Sequence, residues 1–364
     1  MTPPPADAYA ISLDSVHAAA RRIHGLAHRT PVVTCSALDA AASADTGRTV
    51  RLFFKCENLQ KVGAFKYRGA LNAVKKALER GGEAAPQTFV THSSGNHAQA
   101  VALAARDAGC SAVIVMPENA PIVKQKAVGG YGAQIVYSES TSASRESVAA
   151  EWVERTRGHF IHPSDDADVM SGQGTAALEL MEQVEHQWNT QLDAVVVPVG
   201  GGGLCSGVAM AVKSTNPDIK VFAVEPEGAA DAHASFTSKT LQGHTTPATT
   251  IADGLRTTLG NKNFPVIRDL VDDIVLVSDD EIVKTMKLMW ERMKLVRAVV
   301  TTSSVARDIS PTLLFRPSGA VSASGVICKK LPLETLGDKS IINIGVVISG
   351  GNVDLDQLPW VAKP

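Results

Sequence analysis

Lys66, between a strand-like and a helix-like run, is the residue best placed to do chemistry. It stands in Gly63-Ala64-Phe65-Lys66-Tyr67-Arg68-Gly69, after the apolar run 51–56 and before the helix-like run 71–78. Half-buried there, its amine loses hydration and its pKa falls, and a neutral amine can form a Schiff base with an aldehyde. The same seven residues also fit an ordinary surface lysine in a first helical turn.

Three more loops bear on the choice. Gly200-Gly201-Gly202-Gly203 follows the apolar run 193–199 and opens a helix, so successive N–H groups and the helix dipole can cradle a phosphate. It lacks the GxxxxGK[ST] pattern of a P-loop. A dinucleotide site stays open, because Glu225 ends the next strand about 22 positions on, although Cys205 falls where the third glycine of GxGxxG belongs. Ser93-Ser94-Gly95-Asn96-His97 offers hydroxyls and N–H groups suited to a small carboxylate. His97 fits a satisfied polar residue at a helix start better than a catalytic one. Ser349-Gly350-Gly351-Asn352 presents a hydroxyl at the end of a buried strand, or an ordinary turn. Glu225 and Asp231, with carbonyls between them, can give oxygens to a hard cation, though a solvated loop has the same composition.

The elements that must position these loops alternate. Strands are expected at 87–91, 111–116 and 134–137, with helices at 98–107, 122–128 and 144–155 between and after them. A second series follows: a helix at 172–184, a strand at 193–199, a helix at 204–213, strands at 219–224 and 273–277, a helix at 281–294 and a strand at 340–348. Ser12 is placed to cap an earlier helix running to Ile23. Such alternation implies βαβ units and a parallel sheet, where ligands sit outside the carboxyl ends of the strands. No repeat of solenoid length is present.

Bulk composition narrows the class. A chain of 364 residues exceeds one small domain, and 45% hydrophobic with 20% charged residues fits a globular protein with a sizeable core. Lys and Arg number 35 against 37 Asp and Glu, a net charge of −2, with no basic tract. That leaves out nucleic acid and anionic membrane surfaces as partners. The five cysteines are scattered and form no CxxC pair, which points to a reducing compartment without a zinc or disulfide framework. No secretory signal precedes Arg21 and no run is long enough to span a membrane, so a cytoplasmic protein is expected.

Lys66 in its motif, Ser93-Ser-Gly-Asn-His-Ala-Gln99, Gly200-Gly-Gly-Gly-Leu204 and Ser349-Gly-Gly-Asn352 occur in that order. Together they resemble the fold-type II pyridoxal-phosphate enzymes, near the serine racemases and the serine/threonine dehydratases. The likeness runs from about residue 12 to 355. It implies an α/β chain of two lobes, each an open twisted sheet with flanking helices. The large cofactor-binding domain would comprise 1–87 and 166–364, and the small domain 88–165. It implies Lys66 as the Schiff-base lysine, with Gly200, Gly201, Gly202, Gly203 and Leu204 at the cofactor phosphate. Asn96 would meet the ring hydroxyl and Ser349 the ring nitrogen. Ser93, Ser94, Asn96, His97 and Gln99 would surround the substrate carboxylate region. Threonine dehydratases commonly carry alanine where this chain has Ser94. The serine implies a racemase for L- and D-serine, with Lys66 and Ser94 exchanging protons on opposite faces and elimination to pyruvate and ammonia at the same site. A threonine/serine dehydratase and a 3-hydroxyaspartate ammonia-lyase are the alternatives.

In the racemase-like enzymes, residues matching Glu225, the Ala229 carbonyl and Asp231 bind Mg²⁺ or Ca²⁺. The family also implies a homodimer, and some relatives bind ATP between subunits, for which this chain carries no distinct motif. One stretch departs from the pattern. Relatives pass from Glu-Arg-Met-Lys-Leu almost directly into a Glu-Pro-Ser-Gly-Ala-like turn. Here about twenty residues, 297–316, separate Glu291-Arg-Met-Lys-Leu295 from Pro317-Ser-Gly-Ala320, and Arg316 stands where the acid is expected. The segment has no helical period and lies flush between matching blocks, so it reads as a mis-spliced or wrongly translated insertion. A real insertion would put an arginine beside the cofactor and leave an inactive, cofactor-binding homologue as a further alternative.

Overall fold

Short, near-continuous apolar runs make strands buried on both faces, and the segments between them carry the helical period, so the chain winds into parallel sheets covered by helices. The computed structural model describes residues 9–120, 122–293 and 316–352. Nearly all of the atypical segment therefore lies outside the described residues; Arg316 lies within them. In chain order the strands are β1 (Val32–Val33), β2 (Thr49–Cys56), β3 (Thr88–His92), β4 (Ser111–Pro117), β5 (Gln134–Ser138) and β6 (His159–Phe160). They continue as β7 (Ala194–Pro198), β8 (Lys220–Pro226), β9 (Asp273–Val277) and β10 (Ile341–Ile348).

One sheet has the order β1-β2-β10-β7-β8-β9 and the other β5-β4-β3-β6. Every pairing is parallel except β1 with β2. The last strand of the chain, β10, is inserted between β2 and β7, with Ile344 opposite both Leu52 and Ala194. This crossover delivers Ser349 next to the Lys66 turn. Separate apolar cores cover the two faces of the larger sheet, one built around Val195, Val197 and Met170 and the other around Leu52, Val196 and Ile344.

Ser12 caps the Leu13–Ile23 helix in a reciprocal box with Ser15, as its position before the periodic run predicts. The helix Ala167–Trp188 begins earlier than the periodicity alone shows, because Asp166 accepts from the N–H groups of Asp168 and Val169. This helix packs against the helix Lys66–Gly81 backbone to backbone. A side chain at Gly172 would meet the Arg68 carbonyl at 2.6 Å, so only glycine permits that approach.

The Pro-Ser-Gly stretch at 317–319 is not the turn read from sequence. It opens the helix Pro317–Ile327, whose Ser318–Val326 residues are all buried. Proline is well placed in a first helical turn, and the stretch is small and apolar on all sides, which suits a core helix while hiding any amphipathic period.

Candidate active site

Lys66 is the first residue of its helix, and its Nζ donates to the Pro163 carbonyl at 2.5 Å. The residue as a whole is half-buried, while protein crowds its amine. Burial lowers its pKa to about 8, and the like charge of Arg316 adds to the fall. The surface-lysine alternative is thereby set aside.

Backbone bonds tie the Lys66 turn to the end of β10. Phe65 N donates to Ser349 O at 3.2 Å, Gly351 N to Gly63 O at 2.9 Å, and Ala64 bridges Gly350. Asn352 Nδ2 then donates both to the Val62 carbonyl, at 2.7 Å, and to Asn96 Oδ1, at 2.9 Å. Asn96 is fixed by its oxygen, and its Nδ2 is buried with no hydrogen-bond partner. A buried donor left unpaired is costly, so this group suits an acceptor on a ligand. The Ser349 hydroxyl donates to the Ser318 carbonyl at 3.1 Å, at the buried end of the same strand.

The glycine loop opens the helix Gly203–Thr215, and Gly202 holds φ at +85°, where a side chain is strained. Leu204 follows within the first turn. The amides of this first turn have no intrahelical acceptor and no side-chain cap, which is the arrangement an anion fills. A Cβ at Gly201 would lie 2.5 Å from the Ser164 hydroxyl, and one at Gly203 would lie 2.8 Å from the Ser164 carbonyl. Ser164 adjoins Pro163, so one loop touches both the lysine and the glycines.

That loop, His162-Pro163-Ser164-Asp165, was not singled out from the sequence. The sign available was its place after β6, at the carboxyl end of a parallel strand. Asn263 locks it, donating from Nδ2 to Ser164 O at 3.2 Å and Gly201 O at 3.0 Å. His162 Nδ1 accepts from the N–H groups of Ser164 and Asp165, and burial, with the charge of neighbouring His92 next, brings its pKa to about 4. His97 is buried with Nε2 3.3 Å from the Ile161 carbonyl, and burial together with the charge of Lys66 keeps it neutral. Two uncharged imidazoles, those of His97 and His162, thus lie within electrostatic reach of the amine, as does the charge of Arg316.

Ser93, Ser94 and Gly95 join β3 to the helix Asn96–Asp107. The Ser93 hydroxyl accepts from Gly95 N at 3.2 Å. Ser94 is half-buried and its hydroxyl has no partner among the described residues. Gln99 is half-buried one turn further on. Arg145 donates from Nη2 to the Ser142 hydroxyl at 2.9 Å, leaves Nε buried without a partner among the described residues, and its charge reaches His92.

Glu225, at the end of β8, is fully buried, and its carboxylate accepts from Ala232 N and His233 N. Burial raises its pKa to about 8. Asp231 Oδ2 accepts from Leu259 N at 2.8 Å, while Oδ1 is buried without a hydrogen bond, with His244 Nε2 at 3.5 Å. Ala229 ends the short turn Glu227–Ala229 between them. Among the described residues no cluster of three His, Cys, Asp or Glu side chains is placed to hold a metal, so a cation here would need backbone oxygen. A separate surface cavity of about 830 Å³, lined in part by His17, Arg21, Arg29 and Glu182, shares none of these residues.

The family model described as "Pyridoxal-phosphate dependent enzyme" matches residues 23–307. The chain belongs to this family. As a pyridoxal-phosphate-dependent enzyme it is 42% identical over 360 residues to the serine racemase of Bos taurus, covering 98% of this chain and 97% of that one. The structure of maize serine racemase superposes with a TM-score of 0.82 at 40% identity, covering 95% of each chain. A threonine deaminase from T.th. superposes at 0.80 with 39% identity, covering 94% of this chain and 99% of the other. The α/β architecture of helix-flanked sheets is therefore that of the fold-type II pyridoxal-phosphate enzymes. The dinucleotide alternative falls away, and all five cysteines are free thiols. Among the described residues no helix is long and apolar enough to cross a membrane.

Proposed function

We propose that this enzyme interconverts L- and D-serine and, at the same site, eliminates serine to pyruvate and ammonia. The residues present fit pyridoxal phosphate: a buried amine, an unpaired Asn96 donor and an uncapped helix N-terminus are linked through the 162–165 loop on one side and Asn352 on the other. Lys66 would hold the aldehyde carbon, the amides of Gly200, Gly201, Gly202, Gly203 and Leu204 the phosphate, and Asn96 the ring hydroxyl. When bound, the cofactor supplies a carbonyl for the amino group and a conjugated ring that takes up the electron pair from Cα. A hydroxyl at Ser349, in place of a carboxylate, enforces ring protonation weakly, which suits proton transfer and β-elimination over transamination.

The Lys66 Nζ, when free, would be the base that takes the Cα proton from one face. A pKa near 8 keeps that base useful at neutral pH. Ser93, Asn96, His97 and Gln99 border the carboxylate side. The observation that carries the racemase reading is Ser94, whose hydroxyl has no partner among the described residues and would be free to return a proton to the opposite face. A chiral assay with L-serine and L-threonine tests it: D-serine should accumulate from L-serine, and 2-oxo acid formation with no D-serine would overturn it. That second outcome is the dehydratase reading, which the likeness to threonine deaminase supports.

Glu225, the Ala229 carbonyl and Asp231 would hold Mg²⁺ or Ca²⁺, and the unpaired Asp231 Oδ1 is the group that such a cation would satisfy. The enzyme would act in the cytoplasm as a homodimer. A nucleotide bound between its subunits is the effector that some relatives would suggest.

A further inference from the structure

Arg316 is a cation in a place that repels cations. It is the N-cap of the helix Pro317–Ile327, where the helix dipole is positive. Its charge reaches the amine of Lys66. Its side chain is 12% exposed, and Nε is buried with no hydrogen-bond partner among the described residues. The acid in contact is Asp253, at 3.4 Å from Nη1, and Asp253 also pairs with Lys124 at 3.1 Å. Two cations thus share one half-exposed carboxylate, with Lys66 nearby and a helix N-terminus behind.

Backbone contacts fix where this guanidinium lies. Arg316 N approaches Gly350 O at 3.5 Å, and Gly350 bridges Ala64, two residues before Lys66. The other end of the side chain fits because residue 254 is glycine: any Cβ there would collide with Nη2. Gly254 precedes Leu255, which lies 2.8 Å from where a Cβ on Gly200 would be. Arg316 therefore spans from the Lys66 turn to the segment behind the glycine loop. A guanidinium carries five donors in a planar fork, and one long contact leaves most of them for a ligand anion.

We propose that Arg316 is a specificity-determining residue that pairs with a second carboxylate, on the side chain of the amino-acid substrate. This rests on the reading of the cleft as an amino-acid site. The phosphate has the glycine amides and the α-carboxylate has the 93–99 loop, so a side-chain carboxylate is the anion still without a counter-ion. Among substrates of serine-like size, acidic ones gain from this arginine and neutral ones do not.

The test compares L-aspartate with L-asparagine, which differ in charge and hardly in shape, by titration calorimetry on the cofactor-loaded full chain. L-aspartate should bind at least about ten-fold tighter, as one charge-assisted fork contact provides. Arg316→Gln should bring the two affinities within about two- to three-fold, and Arg316→Lys should keep part of the preference. Asp253→Asn removes the competing carboxylate from a folded partner residue and should widen the ratio. An equal affinity in the unaltered chain, or a ratio untouched by Arg316→Gln, overturns the proposal. So does cofactor loss from Arg316→Gln with the ratio intact, which would assign the guanidinium to the phosphate. Turnover of L-serine separates the two readings: if serine reacts and the ratio stays flat, only the role of Arg316 fails. If no amino acid binds, the amino-acid site fails with it.

Discussion

The amine of Lys66 and the carbonyl of Pro163 meet at 2.5 Å although 97 positions separate them. Lys66 begins a helix whose entry is tied to the end of β10 in the larger sheet, and Pro163 leaves β6 at the edge of the smaller one. The contact holds the amine at the seam between the sheets, with Ser164 carrying the same loop onto the glycines.

Burial and Arg316 set the pH at which that amine becomes a nucleophile. With a pKa near 8 in place of 10.5, chain stripped of cofactor should recapture pyridoxal phosphate with a rate that rises through a midpoint near 8. Below it the ammonium has no lone pair, and above it the rate levels off. Removing the neighbouring charge by Arg316→Gln should move the midpoint upward. Stopped-flow absorbance across that range is the measurement, and a midpoint staying near 10.5 would show a solvated lysine.

Ser94 separates two outcomes at one site. On the proposed reading its hydroxyl serves only to reprotonate the far face, whereas elimination would need only the base at Lys66 and departure of the β-hydroxyl. Ser94→Ala should therefore lower racemisation by about 10²-fold or more, the usual worth of a positioned acid, and leave pyruvate formation within a few-fold. Chiral chromatography beside a pyruvate assay reads both. Equal losses would remove Ser94 from the acid role.

The chemistry-bearing loops were legible because each lies within one short stretch. Lys66, the 93–97 loop, the four glycines and Ser349 are local patterns at strand ends, and the alternating periodicity fixed the elements around them. What sequence left hidden is non-local. Nothing near Pro163 shows that it faces Lys66, because only the crossing of the two sheets makes them neighbours. The unpaired amide of Asn96 depends on Asn352 occupying its oxygen, across 256 positions. The helix Pro317–Ile327 was hidden for another reason: buried all round, it has no polar face to show a period.

Two positions beyond Lys66, Arg68 is fully buried and anchors the helix in an ion network whose outer member, Glu179, is partly exposed. It forks onto Glu57, with Nε at 2.7 Å and Nη2 at 2.8 Å, and onto Glu179, with Nη1 and Nη2 both at 2.8 Å. Lys55 closes the set on Glu179 at 2.7 Å. Glu57→Gln leaves two cations against one carboxylate and should cost about 3–5 kcal/mol in urea unfolding. Burial by itself raises the Glu179 pKa, but hydrogen bonds and charge from Arg68, then Lys55, hold it below the ordinary glutamate value. The stabilisation from Glu179 is thus present above that value and fades as pH falls through the lower folded one. Acid unfolding of the unaltered chain should show this loss. A Glu57→Gln chain as stable as the parent would mean the network is solvated.

The Glu225–Asp231 loop makes a prediction independent of turnover. Asp231 places Oδ2 on the Leu259 amide and leaves Oδ1 buried without a hydrogen bond, while the Glu225 carboxylate reaches the amides of Ala232 and His233. A cation that satisfies Oδ1 binds the folded chain alone and must raise its melting temperature with concentration. Added Mg²⁺ or Ca²⁺ should give that rise, and exhaustive chelation should lower both melting temperature and activity. Asp231→Asn keeps an oxygen for Leu259 but removes the charge, so its melting temperature should ignore added cation. Because Leu259 and Gly202 are in contact range, the cation should also tighten the glycine loop. Cofactor retention should then follow cation concentration in the unaltered chain and not in the Asp231→Asn chain. Activity and melting temperature both unchanged after chelation would rule the cation out.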